Sequence, residues 1–159
     1  MMMPEGYGTS EAHARLLADS FERLLGRPLL TCEDGRLLAE QLFDAPFALL
    51  SHGTETDPVL NYGNRTALAL WDMSWEAFTA MPSRLTAEPA ARGERDSFMR
   101  RVAERGYADD YTGVRVSSGG RRFRIRNAIV WNLTDESGVR RGQAALVPSY
   151  EPLDDDSPL

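Results

Sequence analysis

Hydrophobic and polar residues alternate most regularly between Arg122 and Leu133. A side-chain period of two over that many positions is typical of a β-strand with one buried face. The alternation assigns one face to Phe123, Ile125, Asn127, Ile129, Trp131 and Leu133, and the other to Arg122, Arg124 and Arg126. We therefore predict a long strand in which Asn127 is the polar exception on the buried face.

Four shorter segments also have the composition of strands. They are residues 46–53, 59–62, 107–117 and 141–148. Residues 118–120, with the sequence Ser-Gly-Gly, predict a hairpin turn immediately before the long strand. The last three strands should therefore form an antiparallel meander.

The helices are predicted from apolar residues at helical spacing and from the residues that cap them. A first helix is capped by Thr9 or Ser10 and runs to about Leu25, and a short second helix follows residue 35. Three further helices follow the second strand, and their predicted caps are Asn64, Ser74 and Thr86. The last of them tolerates Pro89 in its first turn and ends at Gly106.

Two strands, then helices, then a three-stranded meander is the order of a PAS domain. We therefore predict an α+β fold: a PAS-like five-stranded antiparallel sheet, with helices packed on one face and the other face free to meet water. Residues 1–41 are assigned to an N-terminal helical extension and residues 42–148 to the PAS-like domain. Residues 149–159 are acidic and rich in proline, which predicts a disordered tail.

Composition restricts the class of protein. The 159 residues suit one domain, and the net charge of −6 makes nucleic acid an improbable partner. The sequence has no apolar stretch long enough for a membrane span and no signal peptide, and its one cysteine, Cys32, excludes an intrachain disulfide. We therefore expect a cytoplasmic protein with no membrane partner.

Charge is distributed unevenly along the chain. Residues 1–80 contain 5 arginines and 12 acids, whereas residues 84–126 contain 11 arginines and 6 acids. This polarity has two interpretations of similar weight: oriented self-association into a homodimer, or an ordinary solvated surface. The arginines at 122, 124 and 126 likewise suit either a charged outer face or contact with an acidic partner.

Several short motifs together resemble one family. They are APFALLSHGTETDPVLNYGN (45–64), PSRLTAEP (82–89), GVR (113–115), GRRF (120–123), VWNL (130–133) and GQAA (142–145). In this order and spacing they resemble the MEKHLA domain, a PAS-related module, in its stand-alone bacterial form. The resemblance implies a PAS-like fold and a sensory or regulatory role in signal transduction. It transfers no catalytic residue and no cofactor, and the homeodomain and zipper of the family's plant members are absent from this sequence.

Candidate binding residues are polar groups at strand ends and aromatic residues able to line a small apolar cavity. His52 is a candidate ligand contact or acid–base group, or else a strand-end histidine that fixes the next turn. A haem-ligand role for it has no CxxCH motif in support. The full set of predicted ligand-binding residues is His52, Tyr62, Asn64, Trp71, Trp75, Phe78, Arg84, Tyr111, Arg115, Asn127, Trp131 and Gln143.

Most of these residues have a structural alternative. Each aromatic ring also suits plain core packing, and Arg84 and Arg115 also suit ion pairs with Glu88, Asp109 or Asp110. No metal cluster, phosphate-binding loop or nucleophile–base pair is recognisable by spacing, so no metal is predicted and no cofactor is required by the sequence.

The leading hypothesis is a sensor or interaction module that does not catalyse. It would have a small cavity between the sheet and the helices near residues 62–90, and would form a homodimer through the first helix. The ligand would be a small organic molecule. The alternatives are a small cofactor-independent enzyme that uses His52 and an arginine, and an adaptor with a fully packed interior.

Overall fold

The computed structural model describes residues 9–31, 35–86 and 92–153. The helices are α1 (Glu11–Leu25), α2 (Leu38–Phe43), α3 (Arg65–Trp71), α4 (Trp75–Phe78) and α5 (Arg92–Arg105), with a short 3-10 helix at Ser83–Thr86. The strands are β1 (Ala48–His52), β2 (Leu60–Gly63), β3 (Tyr107–Val116), β4 (Arg122–Thr134), β5 (Arg140–Val147) and β6 (Ser149–Pro152). The predicted contributions of Cys32, Glu88 and Pro89 lie outside the described residues.

Side-chain caps begin three of the helices where the sequence predicts them. The hydroxyl of Ser10 accepts a hydrogen bond from the backbone N–H of His13, and Asn64 and Ser74 accept equivalent bonds at the starts of α3 and α4. These bonds satisfy N–H groups that the first turn leaves without partners. Gly26 ends α1 in the left-handed conformation, with φ of 73°.

The sheet is antiparallel throughout, with the strand order β2-β1-β5-β4-β3. Because β1 pairs with β5, the hairpin of β1 and β2 joins the meander of β3, β4 and β5 in the centre of the sheet. This arrangement confirms the predicted α+β, PAS-like architecture. The 3-10 helix is held close to β2 by a hydrogen bond from the N–H of Ser83 to the carbonyl of Pro58.

The predicted alternation of β4 is wrong beyond residue 126, because the strand contains a bulge. Asn127 has a left-handed φ of 53°, which asparagine tolerates better than most residues, and its side chain is exposed. The extra residue reverses the faces of everything that follows. Phe123 and Ile125 therefore share a face with Ala128 and Val130, whereas Ile129, Trp131 and Leu133 point to the opposite side.

Both faces of the sheet are covered. On one, which we call the cavity face, α3 and α5 pack with Trp71, Phe98 and Val102 against the strands. On the other, the α1 face, α1 and α2 pack with Leu17, Phe21 and other apolar residues. The expectation of one wet face is wrong, because the apolar stripe of α1 covers its own sheet. That stripe is consequently not free to pair with a second subunit.

The acidic end of the chain contributes a strand. The sequence assigns residues 149–152 to a disordered tail, but β6 pairs with the first half of β4. Glu151 forms ion pairs with Arg124 and Arg126, so two of the three arginines predicted on the outer face of the long strand contact an acid of their own chain. Residues 154–159 lie outside the description.

No helix in the described ranges is both long and apolar enough to cross a membrane.

Candidate functional site

A cavity of about 60 Å³ lies on the cavity face, between the strands, α3 and the 3-10 helix. A cavity needs about 10–15 Å³ to hold one buried water, so this space suits a molecule of a few heavy atoms. Its apolar wall includes Leu50, Leu60, Trp71, Ile125, Val130 and Val147. Its polar lining includes His52, Ser83, Thr86, Arg115 and Gln143.

The strand β3 brings an aromatic ring and a cation to this cavity. Gly113 lies between Tyr111 and Arg115 on one face of the strand, and a Cβ there would lie 2.6 Å from the Tyr111 hydroxyl oxygen. The glycine therefore lets the tyrosine ring fold over the backbone. The Arg115 guanidinium carbon lies 5.0 Å from the centre of that ring, within cation–π distance. The ring of Tyr111 also contacts Phe98 of α5, at 4.3 Å between ring centres.

Arg115 is buried, with 8% of its surface exposed, and it has no acidic partner among the described residues. One guanidinium nitrogen, Nη1, donates to the carbonyl oxygen of Val114 at 3.0 Å. The two aspartates predicted as partners do not pair with it: Asp110 pairs with Arg101, and Asp109 is exposed. Burial of a cation without a counter-charge is costly, and arginine does not relieve that cost by losing its proton.

A row of polar side chains crosses three strands at one end of the cavity face. His52 of β1 lies opposite Gln143 of β5, which in turn lies opposite Asn132 of β4. Gln143 Nε2 donates to Asn132 Oδ1 at 3.1 Å. His52 Nδ1 lies 2.8 Å from the carbonyl oxygen of Gly53, so Nδ1 carries the proton that it donates. His52 thus fixes its own strand end, as its structural interpretation expects, and also lines the cavity.

The same row depends on a glycine. A Cβ at Gly142 would overlap the backbone carbonyl oxygen of His52. The absence of a side chain at this position therefore allows β1 and β5 to approach each other beside Gln143.

The structure brings together five of the twelve predicted binding residues. His52, Trp71, Tyr111, Arg115 and Gln143 all line the cavity. Trp71 also donates from Nε1 to the carbonyl of Thr86 at 3.4 Å, which ties the 3-10 helix to α3. Ligand binding by these residues remains a prediction.

Three of the other predicted residues have structural contacts elsewhere. Asn64 is buried, where Oδ1 accepts from the N–H groups of Leu49 and Ala67, and Nδ2 donates to two carbonyls. Phe78 is buried beneath Gly63, where a Cβ would strike its ring. Arg84 is exposed and pairs with Asp57.

The remaining four predicted residues belong to the other side of the sheet or to the surface. Tyr62 and Trp131 are in the hydrophobic cluster of the α1 face, and Trp75 packs edge-on against Tyr62. Trp131 Nε1 donates to the carbonyl of Leu17, which ties the sheet to α1. Asn127 is exposed at the bulge. The bulge explains two of these errors, because it exposes Asn127 and turns Trp131 away from the cavity.

Sequence reasoning missed Ser83 and Thr86, the polar residues that face the cavity from the 3-10 helix. Their signal was present in the motif PSRLTAEP at 82–89, in which Arg84 was the predicted binding residue. The small residues Ala128 and Ala145, which leave the space open, had no signal in the hydrophobic pattern.

The α1 face also contains a buried polar group, the imidazole of His13. His13 Nε2 lies 3.0 Å from Ser51 Oγ, which donates to Asn61 Oδ1. Because Ser51 uses its proton in that bond, it accepts from His13 Nε2–H. Burial lowers the pKa of His13 to about 4, so the imidazole is neutral in the fold. Tyr62 packs nearby, at 5.7 Å between ring centres, and burial raises the pKa of its hydroxyl.

Within the described ranges, no three side chains of the histidine, cysteine, aspartate and glutamate types cluster in a way that would hold a metal ion.

The sheet order, the helices on the cavity face and the small internal cavity together define a PAS-like domain. Solved structures agree with that class. The chain superimposes on the PAS domain of a protein from Colwellia psychrerythraea with a TM-score of 0.62 and 13% identity, covering 72% of this chain and 92% of that one. It also superimposes on the light-state dimer structure of the fungal blue-light photoreceptor Vivid, with a TM-score of 0.61 and 16% identity, covering 94% of this chain and 99% of that one.

The family is given by sequence. The sequence model of the MEKHLA domain matches residues 11–152, and the chain belongs to the MEKHLA domain family. Among curated proteins, the homeobox-leucine zipper protein ATHB-9 of Arabidopsis thaliana is 28% identical over 116 residues. That match covers 72% of this chain but 14% of the plant protein. The family match begins at residue 11, so α1 and α2 lie within the family's extent as well as against its sheet.

Proposed function

We propose that this domain is a sensory module that holds a small molecule in the cavity between the sheet and the 3-10 helix. One observation carries the proposal: the cavity wall contains a buried cation, Arg115, with no acidic partner in the described part of the chain. A domain used only for packing gains nothing from such a group, since a hydrophobic residue of similar volume would avoid the cost of burying a charge.

The cavity favours a ligand smaller than a flavin. A light-oxygen-voltage domain studied with a flavin analogue has a similar fold, at 16% identity and a TM-score of 0.58. The cavity of about 60 Å³, with Trp71 and Ile125 in its wall, favours a ligand smaller than a three-ring cofactor. The ligand that we propose is therefore much smaller than a flavin.

The proposal of ligand binding is tested by a substitution that fills the cavity. Ala145 lies opposite Leu50 of β1 and Val130 of β4, and all three line the cavity. Leucine at this position would occupy much of the space. We expect ligand-observed NMR with a set of very small neutral and charged fragments to detect binding to the wild type and not to Ala145→Leu.

The matched control is Ala77→Leu, the same change at an exposed position of α4. It should bind the fragments as the wild type does. If no fragment binds the wild type, or if the fragments bind Ala145→Leu equally well, the proposal of a ligand cavity is wrong. A thermal melt of each variant checks that the fold is retained.

The enzyme alternative is not favoured. His52 and one arginine, Arg115, do line the cavity, but the convergence of His52 with Asn127 and Arg84 that would favour catalysis does not occur, because Asn127 and Arg84 are exposed. The adaptor alternative required a fully packed interior, which the cavity does not support.

Homodimerisation is a further part of the proposal. The structure of Vivid named above is that of a light-state dimer, and residues 1–80 and 84–126 of this chain carry opposite net charge. Because the stripe of α1 is buried, any dimer would use another surface. Light scattering during size-exclusion chromatography would test homodimerisation, and a monomer at high protein concentration would contradict it.

The finer assignments are also proposals: a stand-alone bacterial protein, a cytoplasmic location, and an N-terminal extension separate from a domain at 42–148. Immunoblotting of fractionated cells, which gives both the size and the compartment of the native protein, would test the first two. A protein that begins at residue 42 would test the third, since the burial of α1 predicts that it folds poorly.

A further inference from the structure

We propose that the molecule bound in this cavity is a compact carboxylate, whose anionic end pairs with Arg115. The inference rests on the proposed function, since it names the class of ligand for the same cavity. It follows from the charge, the geometry and the size of the site, taken in that order.

The charge of the lining favours an anion. Arg115 is cationic, and none of the described residues that line the cavity carries a carboxylate. No described lining group carries a negative charge, so nothing in the described wall offsets the arginine. Because electrostatic attraction is stronger in an apolar interior than in water, an anion is the ligand that gains most here.

The geometry leaves the guanidinium available. Among the described contacts only Nη1 is hydrogen-bonded, to the carbonyl of Val114, although the group has five N–H donors. The ring of Tyr111 supports the group from one side, and Gly113 leaves the room for that ring. A planar guanidinium held in this way is matched to the two oxygens of a carboxylate.

The size and the walls favour a small organic acid over an inorganic oxyanion. A volume of about 60 Å³ admits only a few heavy atoms. The wall also includes Leu50, Val130 and Val147, and these apolar side chains favour a ligand with an apolar part over nitrate or phosphate. A molecule with one carboxylate and a short apolar end satisfies both parts of the lining.

The test uses acetate and acetamide, which have nearly the same shape and differ in charge. Binding is measured by backbone amide NMR titration at constant ionic strength and pH. We expect acetate to bind in the millimolar range, as befits so small a ligand, and to shift the resonances of Gly113, Arg115 and Gln143. Acetamide should bind at least about 10-fold more weakly, because it forms no charge-assisted bond. Nitrate should also bind more weakly than acetate.

Arg115→Gln should weaken acetate binding by about 10- to 100-fold and leave acetamide binding unchanged. The matched control is Arg84→Gln, which removes the same charge from an exposed arginine and should change neither. Equal binding of acetate and acetamide, or undiminished acetate binding by Arg115→Gln, would overturn the inference. Acetamide binding without acetate binding would overturn the carboxylate inference and leave the proposal of a ligand cavity in place. If neither compound binds, and no other fragment binds, both the carboxylate inference and the ligand cavity are wrong.

A second measurement separates this role from a structural one. If Arg115 is kept for a ligand, Arg115→Met should melt at a higher temperature than the wild type in buffer without carboxylates, because it removes a buried charge that no described acid pairs with. Addition of acetate should then raise the melting temperature of the wild type alone. A lower melting temperature for Arg115→Met, together with no effect of acetate on the wild type, would overturn the inference.

Discussion

The two faces of the sheet bury polar groups in different ways. On the α1 face, His13 is buried with Ser51 and Asn61, and burial lowers its pKa to about 4, so the group is neutral at ordinary pH. On the cavity face, Arg115 is buried beside an open space and has no acid to pair with among the described residues.

The difference reflects what each side chain is able to do when it leaves water. A histidine avoids the cost of burial by giving up its proton, so His13 needs only hydrogen bonds. An arginine keeps its charge in any protein environment, so its burial requires a counter-charge. The α1 face therefore has a structural role, and on the cavity face the proposed ligand would supply the counter-charge that the described residues lack.

The largest expected effect compares neighbouring residues on opposite faces. Leu49 faces the α1 side and is completely buried, whereas Leu50 lines the cavity. We expect Leu49→Ala to lower the free energy of unfolding by about 3–5 kcal/mol, and Leu50→Ala by about 2–3 kcal/mol. Leu50 has fewer packed neighbours to lose because it already borders a space.

Urea denaturation of both variants would measure the difference, and the shared strand β1 makes each a control for the other. Equal losses would mean that the cavity is closed in solution and that the two faces are packed alike.

A somewhat smaller effect is expected from acid. The pKa of His13 is lower in the folded protein than the value of 6.5 in the unfolded chain. Above pH 6.5 the group is neutral in both states and does not affect stability. As the pH falls from 6.5 towards 4, the unfolded chain takes up a proton that the fold does not, so stability decreases by up to about 3 kcal/mol.

His13→Gln keeps a hydrogen-bonding side chain without this titration, and it should remove that part of the pH dependence. Unfolding free energies at several pH values between 7 and 4 would measure it. An unchanged slope in the variant would show that His13 is not the group responsible.

The smallest effect is expected at the surface. Glu151 pairs with Arg124 and Arg126, and these arginines hold the pKa of its carboxyl below the ordinary value. Because the carboxylate is exposed, Glu151→Gln should change the melting temperature little, and only at low salt. A large change would mean that β6 has a greater part in stability than its exposure indicates.

The order and type of most elements follow from local signals. The caps at Ser10, Asn64 and Ser74 were recognisable because short polar side chains at those positions accept from the first turn of a helix. The alternation of β4 predicted a strand correctly, but it could not predict the bulge. A single left-handed residue at Asn127 leaves the strand intact and exchanges its two faces.

The site was predicted only in part, and the reason is also physical. Arg115 and Tyr111 were both predicted binding residues of one strand, and the period of two is enough to place them on the same face. Their place in a cavity depends on Ser83 and Thr86, which a separate segment brings to them. No local pattern shows which distant residues meet across a sheet.

By itself, the sequence determined most of the elements, their order and the family, since caps, periodicity and motifs are properties of neighbouring residues. Tertiary structure decided which side each residue faces, that α1 covers its own sheet, and that Arg115 is buried without an acid beside it in the described chain. Those outcomes depend on long-range packing and on one backbone angle, which act only when the whole chain has folded.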